Sequence, residues 1–265
     1  MTDYQYVKFS VANHVGTLMM SNPNKLNAWT PKMDLEIRDV LRKVRDDDSV
    51  RVIVITGEGR GFCAGADMEV LQDAANVAAA GIDPEGSQDG SSMDDLVYLT
   101  RYPKAIVSAI NGPAAGFGAA IAIFSDFRFI ADNAKFTTMF ARRGLIAEFG
   151  IAWMLARQVG IMNALDLLSA RMVLGAEAGQ MGFARALPLE GFLDHVIAFA
   201  RNLAKHTSPR SFRVVKQQLY AGFEQTLEEA RTLANDEAVK SFESEDYKEG
   251  IAHFLEKREP AFTGR

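Results

Sequence analysis

The sequence predicts an α/β core followed by a helical C-terminal segment, and three observations carry that prediction. Short apolar runs rich in β-branched residues (Val50–Thr56, Ala105–Ile110 and Phe127–Ala131) alternate with segments of helical spacing. That order points to an α/β core with right-handed crossovers. Two of the runs end in glycine-rich turns, Gly57–Asp67 and Asn111–Gly118, as strands do when they turn directly into helices. From near residue 200 the spacing is helical throughout, which divides the chain into a core over residues 1–200 and a helical segment over residues 201–265.

The elements follow in order. Val7, Phe9 and Val11 alternate with polar neighbours, Asn13-His14 turns, and Gly16–Met20 runs back, so a hairpin is expected. Ser21–Ala28 is a loop. Thr30-Pro31 supplies an N-cap and a first-position proline, and Met33, Ile37, Val40, Leu41 and Val44 give an amphipathic helix over about 31–45. Val50–Thr56 is a buried strand. Asp67 is placed to cap a helix reaching about Ala80. Gly81–Ser92 has the composition of a mobile loop, and Met93–Arg101 reads as a helix. Strands over Ala105–Ile110 and Phe127–Ala131 flank a helix that begins after Gly118. Lys135–Gly150 is a loop, and helices are expected at about 151–159, 162–171, 191–206, 208–221, 226–242 and 245–257.

Composition sets outer bounds. A chain of 265 residues with 48% hydrophobic and 24% charged residues is long enough for a sizeable core. A net charge of −5, with no basic arm, gives no reason to expect nucleic acid. The single cysteine, Cys63, forms no internal disulfide and suits a reducing compartment. No signal-peptide pattern, membrane-length apolar run or peroxisomal tail is present, so the cytoplasm is the expected location and a membrane is not an expected partner.

The two glycine turns suggest chemistry. Gly57-x-Gly59 has Phe62 where a dinucleotide fingerprint needs its third glycine, and no P-loop lysine follows. A helix that starts directly after a glycine turn leaves backbone N–H groups without internal partners, and these suit an oxygen that becomes anionic in a reaction. Alone, either turn is adequately explained by tight packing. Together at one sheet edge they are expected to form an oxyanion hole, which then needs a base or nucleophile to complete a site.

Phe62-Cys-Ala-Gly-Ala-Asp-Met68, Asn111-Gly-Pro-Ala-Ala-Gly116 and Ser125–Phe136 resemble the enoyl-CoA hydratase/isomerase, or crotonase, family. Arg142-Arg-Gly-Leu145, Leu155–Gly160 and the tail Phe254–Phe262 extend the resemblance to nearly the whole chain. It implies a spiral of ββα units, a helical segment used in oligomerisation, a homotrimer or dimer of trimers, and an acyl-CoA thioester substrate. No metal is implied, and no cofactor beyond the coenzyme A of the substrate. Carried over by residue, the oxyanion donors are the N–H groups of Ala64 and Phe117, where many relatives have glycine instead of Phe117. Lys25, Leu26 and Ala28, the backbone of Ala64, Gly65, Ala66, Asp67 and Met68, and Gly116 match the CoA and substrate contacts. Phe254 and Lys257 match tail residues that reach a neighbouring subunit's CoA, although Lys257 also reads simply as a solvated lysine on the last helix.

Hydratases of the family use two glutamates, and water addition needs both. Here those positions hold Ala120 and Phe140, which transfer no proton. Glu148, in Gly144-Leu-Ile-Ala-Glu-Phe-Gly150, matches the glutamate of 3,2-enoyl-CoA isomerases; a helix-capping glutamate before Ile151 is the plainer alternative. A carboxylate in apolar surroundings is raised toward the working pH and serves as base and then acid. The expected function is therefore an enoyl-CoA isomerase. The alternatives are hydration or another thioester reaction with Glu148 acting on water, and a non-catalytic acyl-CoA-binding subunit. Cys63 has no evident histidine partner, His14, His195, His206 and His253 lack metal-ligand spacing, and Asp126 and Asp132 read as hydrogen-bonding residues. Met68, Met139, Phe140, Phe149 and Trp153 are expected to line the pocket or the core.

Overall fold

The computed structural model describes residues 4–70, 72 and 96–265. Strands β1 (Val7–Ala12) and β2 (Val15–Met20) pair as the expected antiparallel hairpin. The turn between them puts Asn13 and His14 in the left-handed region at φ 52° and 62°. From β2 the sheet continues in parallel through β3 (Val52–Gly57), β4 (Ala105–Ile110), β6 (Phe127–Ala131) and β9 (Arg185–Leu187). Every residue of β3 and β4 is buried, as central parallel strands covered on both faces require. Helix α1 (Pro31–Val44) begins where the sequence places it: the Thr30 hydroxyl accepts the Met33 N–H at 3.2 Å, and the helix turns Met33, Ile37, Val40, Leu41 and Val44 inward.

A second, smaller sheet joins β5 (Ala114–Ala115), β7 (Lys135–Thr137) and β8 (Val173–Leu174). Isolated bridges from Trp29 to Ala66 and from Cys63 to Ala114 carry its pattern back to the start of the chain. Each successive turn of chain thus adds a strand to the large sheet and a short contact to the small one, giving the expected spiral. Helix α3 (Phe117–Phe124) links β5 to β6 and is buried over its whole length. The sequence reading lacks β5, β7, β8 and β9, because two or three residues show no periodicity and are extended only through their neighbours. The two helices expected over 151–171 form one element, α4 (Ile151–Leu168), interrupted where Gly160 leaves helical geometry at φ 78°. The expected helix beyond residue 72, the loop Gly81–Ser92 and residues 93–95 lie outside the described residues. Helix α2 (Tyr98–Arg101) is the described part of the helix expected over Met93–Arg101.

After α5 (Gly175–Gln180), helix α6 (Phe192–His206) lays Phe192, Val196, Ala200 and Ala204 on the large sheet. The expected boundary at residue 200 therefore falls inside a helix whose buried face runs across it. Helices α7 (Pro209–Ala221), α8 (Leu227–Glu243) and α9 (Glu245–Glu256) follow, with Ser208, Thr226 and Ser244 as N-caps. A buried ion pair fastens α7 to the core. Lys216 Nζ donates to Asp126 Oδ2 at 2.7 Å and to the Leu99 carbonyl at 2.8 Å, while Asp126 Oδ2 also accepts the Ile106 N–H at 2.8 Å. Burial holds the Asp126 carboxyl above its usual range and the Lys216 ammonium below its own, with their mutual attraction opposing both shifts.

The fold makes two predictions. Lys216→Met leaves the Asp126 carboxylate buried without its cation, and a loss of about 3–5 kcal/mol is expected in chemical denaturation. A methyl group on Gly118 would overlap the Cys63 carbonyl oxygen, so Gly118→Ala is expected to cost about 1–3 kcal/mol in the same measurement. Wild-type stability in either variant would contradict the packing described.

Candidate active site

The two glycine turns stack main chain on main chain. Phe62 and Cys63 donate their N–H groups to the Pro113 carbonyl at 3.1 and 3.2 Å, and Ala115 donates to the Cys63 carbonyl at 2.9 Å. A Cβ on Gly65 would lie 3.3 Å from the Ala115 oxygen, so Gly65-Ala66 abuts Ala115-Gly116. Gly116, at φ 48°, turns the chain into α3, and Phe117 opens that helix. The Phe117 N–H belongs to the first turn and has no acceptor among the described residues. It also stands at the positive end of the helix dipole.

The first turn departs from the sequence reading. The Ala64 N–H is committed: it donates to the Leu26 carbonyl at 3.1 Å. Two residues on, Trp29 N donates to Gly65 O at 2.7 Å and Asp67 N to Trp29 O at 2.9 Å. Extended backbone alternates its polar groups, so the Ala66 N–H, between those two bonds, faces away from Trp29 and has no acceptor among the described residues. Ala66 replaces Ala64 as the available donor. Spacing within Ala64-Gly65-Ala66 could not tell the two apart, because the choice depends on which edge pairs with Trp29.

Glu148 is half-buried between Ala147 and Phe149, both of which pack on the core. It opens a single 3₁₀ turn, Glu148–Gly150, directly before α4, whose N-cap residue is Gly150. Phe149 takes the left-handed conformation at φ 57°, uncommon for an aromatic residue and a source of about 1–3 kcal/mol of strain. Its ring meets Phe117 edge-on at 6.0 Å and Phe140 at 6.3 Å, while Phe117 lies 4.8 Å from Trp29. These contacts bring the Glu148 segment against the donor turn. Ala120 and Phe140, at the hydratase carboxylate positions, are both buried and apolar. Trp153 stands apart from this group, packed on Phe223 at 5.2 Å and under Arg157.

Around the turns, Lys25 pairs with Asp67 at 2.8 Å and with Glu69 at 3.3 Å. The Lys25 hydrogen bond, followed by the Glu69 N–H, holds the Asp67 carboxyl below the usual range. Asp67 Oδ1 accepts the Glu69 N–H at 3.1 Å and so caps a helical turn from Met68, as expected. Met68 is 68% exposed and Ala28 is buried. Asn27, fully buried, was not singled out from sequence: its amide donates to the carbonyls of Glu58 and Gly61 at 3.0 and 2.8 Å. Asn111 does the same for Gly57 and Gly59 at 2.9 and 3.0 Å. The signal for Asn27 is its position between Leu26 and Ala28 in a turn at φ 55°, a conformation asparagine tolerates. Phe254 and Lys257 stand exposed on and just after α9 and form no hydrogen bond or ion pair with these residues.

Burial pushes the Cys63 thiol up to about 11, against nearby backbone N–H groups, so it is no thiolate at neutral pH. Asp126 acts through hydrogen bonds, as expected. Among the described residues no three His, Cys, Asp or Glu side chains group as a metal ion would need, and no helix is long and apolar enough to cross a membrane.

The family model for enoyl-CoA hydratase/isomerase matches residues 10–265. The chain is 35% identical over 266 residues to the 1,2-epoxyphenylacetyl-CoA isomerase of Escherichia coli strain K12, covering 98% of this chain and 99% of that one. It is 33% identical over 264 residues to a Rhodobacter capsulatus protein described as a probable enoyl-CoA hydratase, with 99% of each covered. The solved enoyl-CoA hydratase from Polaromonas sp. JS666 superposes with a TM-score of 0.86 at 27% identity, over 97% of this chain and 99% of that one. With a crotonase-like spiral and a family match over residues 10–265, the chain is an enzyme of the enoyl-CoA hydratase/isomerase family.

Proposed function

We propose that this enzyme moves the double bond of an enoyl-CoA, with Glu148 carrying the proton in both steps. The carboxylate takes a proton from the carbon next to the thioester, the carbonyl oxygen becomes an enolate, and the N–H groups of Ala66 and Phe117 hold it. The same carboxyl group then returns the proton at the γ carbon, and the enolate collapses with the double bond shifted. The observation that carries this reading is the pairing of a half-buried Glu148 with apolar residues, Ala120 and Phe140, where a hydratase would need carboxylates. Two donors suit the enolate, and the loss of one such donor costs roughly 3–4 kcal/mol of transition-state stabilisation.

Lys25, Leu26 and Ala28 with the Ala64–Met68 backbone are read as the CoA side of the site, Lys25 exchanging its carboxylate partners for the coenzyme. Apolar side chains left exposed on α8 and α9, among them Val239, Phe242, Phe254 and Leu255, suit association as a trimer or dimer of trimers, with Phe254 and Lys257 toward a neighbour's CoA. The reaction so read uses no metal and no cofactor beyond the CoA of its substrate. An unpaired buried thiol suits the cytoplasm.

Hydration is the second reading, favoured by the description of the Rhodobacter relative; in it Glu148 acts on a bound water. Separate incubation with 3-enoyl-CoA and 2-enoyl-CoA distinguishes them: a shifted alkene without water uptake is expected, and 3-hydroxyacyl-CoA as the main product would overturn the isomerase reading. Glu148→Gln is expected to lower kcat by about a thousandfold, within the range for removing a general acid–base. Its affinity for CoA should stay near wild type, and full activity in the variant would place the base elsewhere.

A further inference from the structure

A cavity of about 610 Å³ opens at the carboxyl ends of β2, β3 and β4, where Met19, Thr56, Gly57 and Asn111 line it. Ligands of open α/β sheets collect at this edge. The volume suits a small organic molecule. The cavity borders the glycine turns, but none of Lys25, Ala64–Met68, Phe117 and Glu148 lines it, so it is separate from the candidate active site.

Its charge is one-sided. Arg60, from the first glycine turn, and Lys135, at the start of β7, both line the cavity, and no carboxylate does. Both cations are exposed, and neither side chain forms a hydrogen bond or ion pair among the described residues. The Asn133 amide, also on the cavity, has no partner there either. Elsewhere on this chain of net charge −5, exposed cations such as Lys8, Arg171 and Arg258 pair with nearby carboxylates.

The main chain adds donors of its own. The Asn111 amide answers the carbonyls of Gly57 and Gly59. The N–H groups of Gly59, Arg60 and Gly112, all lining residues, have no acceptor among the described residues. Gly59 turns at φ 71°, and successive N–H groups of such a turn make a concavity that favours an anion. Donors spread over two turns and a strand suit the three oxygens and double charge of a phosphate group. A planar carboxylate is satisfied by one guanidinium fork. Leu189 and Leu193 supply an apolar wall for the rest of the molecule.

We propose that this cavity is a second binding site, taking a small phosphate ester whose phosphate meets Arg60 and Lys135 and whose apolar body rests on Leu189 and Leu193.

Calorimetric titration of the full chain with inorganic phosphate and with n-butyl phosphate tests the proposal. Both probes are expected to bind, n-butyl phosphate about tenfold more tightly because its chain leaves water for the leucine wall. Arg60→Gln and Lys135→Gln should each weaken both probes about tenfold, the effect of losing one charge-assisted hydrogen bond. Since both side chains are exposed and unpaired, these variants should melt at the wild-type temperature. Saturating CoA should leave both affinities unchanged. No binding of either probe, or wild-type affinity in both variants, overturns the site. Displacement of the probes by CoA overturns its independence and makes the cavity part of the coenzyme's own site. Equal affinity for the two probes overturns the apolar wall.

Discussion

The site depends on two backbone turns stacked with no side chain between them. At Gly112 and Gly118 a methyl group would overlap the carbonyl oxygens of Arg60 and Cys63, so any other residue there forces the turns apart. Hydrogen bonds from Phe62, Cys63 and Ala115 fasten the same contact. Because the lock is main chain to main chain, the free N–H groups of Ala66 and Phe117 are placed before any ligand arrives. Donors fixed in advance need no reorganisation when charge develops, which is where such sites gain over water. The side chain at position 117 is then free to vary without moving its N–H, and a phenyl ring stands there.

Packing turns so tightly creates a polar difficulty. The carbonyls of Gly57, Glu58, Gly59 and Gly61 lie in a crowded loop, and an unpaired buried carbonyl would cost about 1–3 kcal/mol. Two asparagine amides, from Asn27 and Asn111, answer all four. Asn27 in turn accepts the Asn22 N–H at 2.8 Å, so the loop before α1, the first glycine turn and β4's end become one unit. On the opposite side, the Asp126–Lys216 pair links the end of α3 to α7. The core therefore holds the C-terminal helices through a buried charge and the glycine turns through neutral amides.

Much of this was legible in the sequence. The hairpin, α1 with its Thr30 cap, the buried strands β3, β4 and β6 and the later helices follow from periodicity and capping residues, which act locally. The small sheet was not legible, since β5, β7 and β8 are extended only because successive turns of the spiral lie against one another. The same reason explains the misplaced donor: whether Ala64 or Ala66 keeps a free N–H is decided by the pairing of that turn with Leu26 and Trp29, far away along the chain. Glu148 could be singled out by resemblance, but its ring neighbours could not, because Phe117, Phe149 and Phe140 meet through tertiary packing alone.

A single carboxylate constrains the proposed chemistry more than a pair does. Two acids can divide the work, one on water and one on carbon, as hydration requires. One acid must take and return its proton on the same face, and it must reach both the α and γ carbons from one position. In the proposed reaction the thioester oxygen, held by the Ala66 and Phe117 N–H groups, fixes one end of that short conjugated segment. Half-burial of Glu148 serves this arrangement. Full exposure would let the carried proton exchange with solvent between the two steps, and full burial without a partner would make the carboxylate too costly to form.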